Sequence, residues 1–167
     1  MVDNKSVLEL GDISAEAFEA LLCYIYTNNT ALSLESAFDL LMQADVYLIN
    51  SLKKFCANFI GEHIDQLNVI DIIKLARELN LPKLEKTATQ HIANNLQQYI
   101  SNEEFHKLVV SDALEVRERQ ETDTIGIIDD LRYYLNSSSK FSIKHYEENE
   151  ANLKAINDLL VTLGLGA

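Results

Sequence analysis

The sequence predicts a mainly α protein with a few short strands near its start. Three observations carry that prediction. One Pro and five Gly in 167 residues leave little to break long helices. Apolar residues recur at i, i+3, i+4 and i+7 through most of the chain, the stripe of a half-buried helix. A composition of 47% hydrophobic and 24% charged residues is that of globular material, long enough to bury a core as one domain or two small ones.

Val7-Leu8-Glu9-Leu10 reads as a short strand, followed by Gly11-Asp12 and an N-cap at Ser14. Phe18, Leu21, Leu22 and Ile25 then mark one helical face. Asn28-Asn29 punctuates a turn before a minimal strand, Ala31 to Leu34. The next helix directs Ala37, Leu40, Leu41, Ala44 and Leu48 inward, and Asn50 caps another with a stripe of Leu52, Phe55, Cys56, Phe59 and Ile60.

From Asn68 onward the pattern is helical throughout. Asn68 caps a helix presenting Val69, Ile72, Ile73 and Ala76; Pro82 occupies a first-turn position ahead of Leu84, Ala88, His91 and Ile92. Ser101 and Glu104 form a capping box before Phe105, Leu108 and Val109. Two helix–corner–helix units align at an offset of 32 residues: Leu40-Leu41 with Ile72-Ile73, Ala44 with Ala76, Ile49 with Leu81, and Leu52, Cys56, Ile60 and Ile64 with Leu84, Ala88, Ile92 and Leu96. Stacking of such units buries a continuous seam; a chance match between two amphipathic hairpins is the competing reading.

Composition shifts after Val110 to an acidic stretch, Asp112 to Asp130, before Ile125, Ile128, Leu131 and Leu135 restore helical spacing. Asn136 to Lys140 is the clearest linker. Tyr146, Asn149, Leu153, Ile156, Leu160 and Leu163 alternate by three and four along a terminal helix that Gly164 and Gly166 end. The seam is short for a coiled coil, which favours docking on the helix's own domain.

Lys and Arg number 14 against 26 Asp and Glu, a net charge of −12 that disfavours nucleic acid and anionic lipid as partners. No apolar run is long enough for a transmembrane span, and the start carries no secretory-signal pattern. Cys23 and Cys56 fall on apolar faces and read as buried reduced thiols, which points to a cytoplasmic or nuclear compartment. His63, His91, His106 and His145 lie far apart without ligand-spaced neighbours, and His91 reads as a hydrogen-bonded core residue. Phosphate-cradling glycine motifs and a nucleophile elbow are lacking, and the adjacent pairs Glu103-Glu104 and Asp129-Asp130 diverge on a helix rather than converge. The sequence therefore predicts no enzyme, no metal and no cofactor.

Ile13-Ser14 with Phe18, then Leu22-x-Tyr24-Ile25-Tyr26-Thr27, resembles the helix after the third strand of BTB/POZ domains. Leu40-Leu41-x-x-Ala44-Asp45-x-Tyr47 and Leu52-Lys53-x-x-Cys56 resemble the two helices that close that domain. Leu67 to about Asp112 is similar to a BACK segment. Arg117 to Ile125, Asp129-Asp130-Leu131-Arg132 and Leu159-Leu160-Val161-x-Leu163-Gly164 resemble the C-terminal part of ankyrin repeat and BTB/POZ domain-containing proteins. The resemblance implies a partial BTB/POZ domain, short strands plus helices, over residues 1–66, with its first half missing. BACK-like helical hairpins follow over 67–112, then an acidic segment with a helix and Ser-rich linker over 113–140 and a C-terminal helix over 141–167.

The role the resemblance implies is substrate adaptor of a cullin-3 RING ubiquitin ligase, or a fragment of one, with another BTB chain as a further partner. The cullin-binding residues it implies are Ala37, Phe38, Asp39 and Tyr47. The family's usual triplet, apolar residue, any residue, Glu, stands here as Ala-Phe-Asp, and no ankyrin repeats lie in this chain. Phe38 and Tyr47 fit either exposed anchors or core packing. The alternative function is an acidic helical scaffold or self-association module acting outside ubiquitination.

Overall fold

The computed structural model describes residues 13–119, 124–138 and 143–165, with the side chains of 116–119, 138 and 143–145 excepted. Nine α-helices and no strand occur among the described residues, so the mainly α expectation holds. The expected strand Val7–Leu10 lies outside them. Two compact units divide the chain, Met1–His63 and Ile64–Ala167.

In the first unit, α1 (Ala15–Thr27) begins where Ser14 Oγ accepts the Ala17 N–H at 3.2 Å. Its buried row is Ala17, Ala20, Leu21 and Tyr24, whereas Leu22 and Ile25, expected inward, are 38% and 56% exposed. Apolar residues surround most of α1, so periodicity alone permits more than one face. The two alanines admit close approach to α2 (Leu34–Val46), and Tyr24 packs on Phe55 with ring centroids 5.4 Å apart. The same rotation leaves Cys23 exposed, contrary to its expected burial. The strand expected at Ala31–Leu34 does not form. Ser33 caps α2 instead: its Oγ accepts the Ser36 N–H at 3.1 Å while Ser36 Oγ accepts the Ser33 N–H at 2.9 Å, drawing Leu34 into the first helical turn.

Helix α2 turns back on α3 (Asn50–Glu62), burying Ala37, Leu40, Leu41 and Ala44 with Leu52, Cys56, Ala57 and Ile60. Leu48, expected inward, is 81% exposed, because α2 stops at Val46 and Leu48 takes the left-handed position (φ 57°) of a Schellman corner. Asn50 is the first residue of α3 rather than its cap, which is Ile49. Phe55 and Phe59 are only half-buried.

The second unit opens on a turn in which Asp65 Oδ1 accepts the Leu67 and Asn68 N–H groups and Asn68 Oδ1 accepts the Asp65 N–H. Asn68 thus closes the turn rather than capping α4 (Val69–Glu78) with its side chain. Pro82 starts α5 (Pro82–Asn94) as expected, and the short α6 (Leu96–Tyr99) follows. Asn102, not Ser101, caps α7 (Glu103–Arg119), accepting the Glu104 and Phe105 N–H groups at 2.8 and 3.1 Å. Glu104 is drawn away from the box by Lys107 and Lys74, which hold its carboxyl below the ordinary range. Helix α8 (Gly126–Ser138) takes in the start of the expected linker and buries Ile127, Ile128, Leu131 and Leu135. Residues 139 and 140 of that linker lie outside the described residues. Helix α9 (Ile143–Thr162) docks on α8, burying Ile156, Leu159 and Leu160, with Asn149 Nδ2 donating to the Leu135 carbonyl at 2.8 Å. Tyr146, expected in that stripe, is 55% exposed.

The 32-residue repeat holds in backbone detail. Helices α3 and α5 are offset by that interval at both ends, and α2 and α4 at their C-termini. Each corner places one left-handed residue, Leu48 or Asn80, and closes with the same bond, Ile49 N–H to the Ala44 carbonyl at 2.8 Å or Leu81 N–H to the Ala76 carbonyl at 2.7 Å. Even the ion pair recurs, with its polarity reversed: Asp45–Lys53 in the first hairpin, Arg77–Glu85 in the second.

Candidate protein-interaction surface

The face of α2 opposite its buried row carries Phe38, Met42 and Val46 at i, i+4 and i+8. Phe38 is half-buried, Met42 is 40% exposed and Val46 68%. At the C-terminal end of this row, Tyr47 is 47% exposed as the last capping residue of α2, and Leu48 projects beyond it. Glu35 and Asp39 share the outward face, and both are exposed. Asp39 accepts a hydrogen bond from Ser14 Oγ at 3.0 Å, which ties the start of α1 to the middle of α2. Asp45 and Lys53, 2.5 Å apart, neutralise each other near the corner. The surface is therefore an apolar row with an acidic edge at one end, carried on a hairpin whose opposite side is packed.

Of the four residues singled out from the sequence, Phe38, Asp39 and Tyr47 reach this surface. Ala37 does not: it is fully buried against the hairpin core, so its side chain is unavailable to a partner. The sequence reading missed Met42, Val46 and Leu48. The first two were findable as a second apolar row spaced by four; Leu48 was not, because the helical pattern continues through it.

Elsewhere several titratable groups are held by burial or by close contacts within their own unit. The thiol of Cys56 is pushed up to about 12 by burial, which keeps it neutral and inert. His63 stacks on Phe59 with its Nδ1 2.8 Å from the Phe59 carbonyl, and His106 Nε2 lies 2.7 Å from the Ile100 carbonyl. His91 is half-buried, edge-on to Tyr99. The side chain of His145 lies outside the described residues. An open cleft in the second unit, lined by Asn94 to Gln98 and by Glu148, Ala151 and Asn152 of α9, is bridged by a Gln97–Asn152 hydrogen bond and carries one carboxylate, Glu148, among amides and apolar groups. Among the described residues no group of three or more His, Cys, Asp or Glu is placed to hold a metal, and no helix is long and apolar enough to cross a membrane.

The outward row of α2 is an exposed apolar surface of the kind that protein–protein contacts use. Residues 1–64 match the model of the BTB/POZ domain, and this part of the chain belongs to the BTB/POZ family. The chain is 35% identical to BTB/POZ domain-containing protein 3 of Schizosaccharomyces pombe, over 92% of this chain and 33% of that protein. It is 36% identical to an ankyrin repeat-containing protein of Saccharomyces cerevisiae, over 77% and 26%. Kelch-like protein 7 of Homo sapiens is 32% identical over 66% and 19%. The chain spans a third or less of the length of these relatives.

Proposed function

We propose that this chain is the interaction portion of a substrate adaptor for a cullin-3 RING ubiquitin ligase, and that it works by binding rather than by catalysis. The observation that carries the reading is the outward row of α2, Phe38, Met42 and Val46 leading to Tyr47, in the part of the chain that belongs to the BTB/POZ family. A half-buried Phe and an exposed Tyr on a preorganised helix suit interface anchors, since little order remains to be imposed on binding. Asp39 supplies the acid of the family triplet on a shorter side chain.

Calorimetry of the folded chain against the N-terminal domain of cullin-3 tests this. Binding is expected in the micromolar range or tighter, with Tyr47→Ala and Phe38→Ala each weakening it by roughly tenfold or more. No heat at tens of micromolar protein, from a sample with a cooperative melt, overturns the proposal. The scaffold reading outside ubiquitination rests on the 32-residue repeat, the acidic segment and the terminal seam; of that seam, Ile156 and Leu160 are buried in the helix that docks on α8.

A further inference from the structure

Resting on that interaction reading, the geometry points to Leu48 as the apolar anchor through which the α2–α3 corner takes its protein partner. The surface it fits is apolar at the centre and basic along the edge that meets Glu35 and Asp39. Three observations, all within this chain, carry the inference.

The first is backbone strain without local reward. Leu48 sits at φ 57°, a conformation that crowds any Cβ against the following carbonyl and that Gly or Asn adopts more easily. Its side chain is 81% exposed, so burial within the described fold does not offset that cost. An unfavourable residue held at a strained position points to a use outside the fold.

The second is an internal control. The other corner has the same backbone, with Asn80 at φ 52° and matching Schellman bonds. There Glu78 and Asn80 face solvent while Leu79 is only 6% exposed. At the first corner the three equivalent residues, Val46, Tyr47 and Leu48, are all apolar or aromatic and all exposed. The second corner shows that this backbone accepts polar residues at its exposed positions, so the corner geometry itself does not call for the apolar trio of the first.

The third is charge. Glu35 and Asp39 have no ion-pair partner among the described residues, whereas Asp45 is matched by Lys53. Along this row the acids without an ion-pair partner among the described residues therefore stand at its N-terminal end, and a basic partner edge there would fix the direction of docking.

The test is Leu48→Asn, with Leu48→Gly as a second variant, each in the full chain and each followed by thermal melting and by calorimetry against the cullin-3 N-terminal domain. The expected result is affinity at least roughly tenfold weaker with an unchanged or slightly higher melting midpoint, because Asn and Gly relieve the left-handed strain. Glu35→Lys with Asp39→Lys should weaken binding at low salt and flatten its salt dependence. Wild-type affinity in both Leu48 variants overturns the anchor while leaving the adaptor reading intact. A folded wild-type chain that binds nothing overturns both. Lowering of the midpoint by both variants, on the order of 5 °C or more, also overturns the anchor, since Leu48 would then serve the fold.

Discussion

Asp112→Ala should be the most damaging single truncation of a polar side chain in the second unit. The Asp112 carboxylate accepts Arg77 Nη1 at 2.6 Å and Nη2 at 3.0 Å, a bidentate pair, and its Oδ2 also accepts the Ile127 N–H at 3.3 Å. One side chain on α7 thereby holds α4 and caps the start of α8. The Asp112 side chain is 9% exposed and that of Arg77 32%. Burial works against the guanidinium charge, but the bonds and charges of Asp112 and Glu85 outweigh it and raise the Arg77 pKa above its ordinary value.

Breaking a buried pair outright costs about 3–5 kcal/mol. Here Arg77 keeps Glu85 at 2.6 Å and some solvent, so the loss of the pair falls nearer to about 2 kcal/mol. The orphaned Ile127 N–H adds about 1 kcal/mol. A total of about 3 kcal/mol in a unit of this size lowers the melting midpoint by roughly 12 °C. Asp112→Asn, which keeps the volume and an acceptor, should lose about half as much. Circular dichroism melts at neutral pH read both variants. A loss under about 1 kcal/mol for Asp112→Ala would show that the network contributes nothing beyond an exposed salt bridge, and would refute the reasoning.

The two thiols should separate cleanly under Ellman's reagent. Cys23 is exposed and Cys56 buried, so one thiol reacts in the native chain and a second only in denaturant; two fast native thiols would contradict the packing of α3. The Tyr99 hydroxyl is buried without a hydrogen-bond partner among the described residues, and burial followed by the charge of Asp65 raises its pKa. Tyr99→Phe should therefore stabilise the second unit by about 1 kcal/mol, and a destabilisation of that size would reveal a bound water or other partner.

Helix existence was legible in the sequence; faces and ends were less so, for physical reasons visible in particular residues. The α1 stripe was misread because Ala17, Ala20 and Tyr24 form a face as good as the one with Leu22 and Ile25, and only the neighbouring helices choose between them. Ser33 looked like the end of a strand because the Ser–Ser cap has the extended backbone of a strand at its first residue. Asn102 displaced Ser101 by one position, since both residues can cap and the competition of Lys74 and Lys107 for Glu104 lies partly in another helix. The Arg77–Asp112 pair joins residues 35 apart, and nothing local marks it. At the surface, family resemblance supplied Phe38 and Tyr47. It also supplied Ala37, which the hairpin core claims.

The two hairpins agree in more than the period of their buried residues. Two unrelated amphipathic hairpins would share a period of buried residues, because any helix that packs must have one. The two here also share a left-handed residue at one register position, closed by the same two carbonyls of a Schellman ending, and an ion pair joining the same two backbone sites. Asp45–Lys53 and Arg77–Glu85 show that the corner brings positions eight apart into contact and asks only that their charges be opposite. Which sign stands on which helix is then free, and in the second hairpin the cation is Arg, whose fork reaches Asp112 as well. Features common to both hairpins are thus what the fold requires. Features that differ at equivalent, exposed positions are not, and the sharpest difference is the apolar trio Val46, Tyr47 and Leu48 against Glu78, Leu79 and Asn80. The fold accepts polar residues at both outer positions of the second corner, which makes the apolar trio of the first the place where the proposed partner contact is tested most directly.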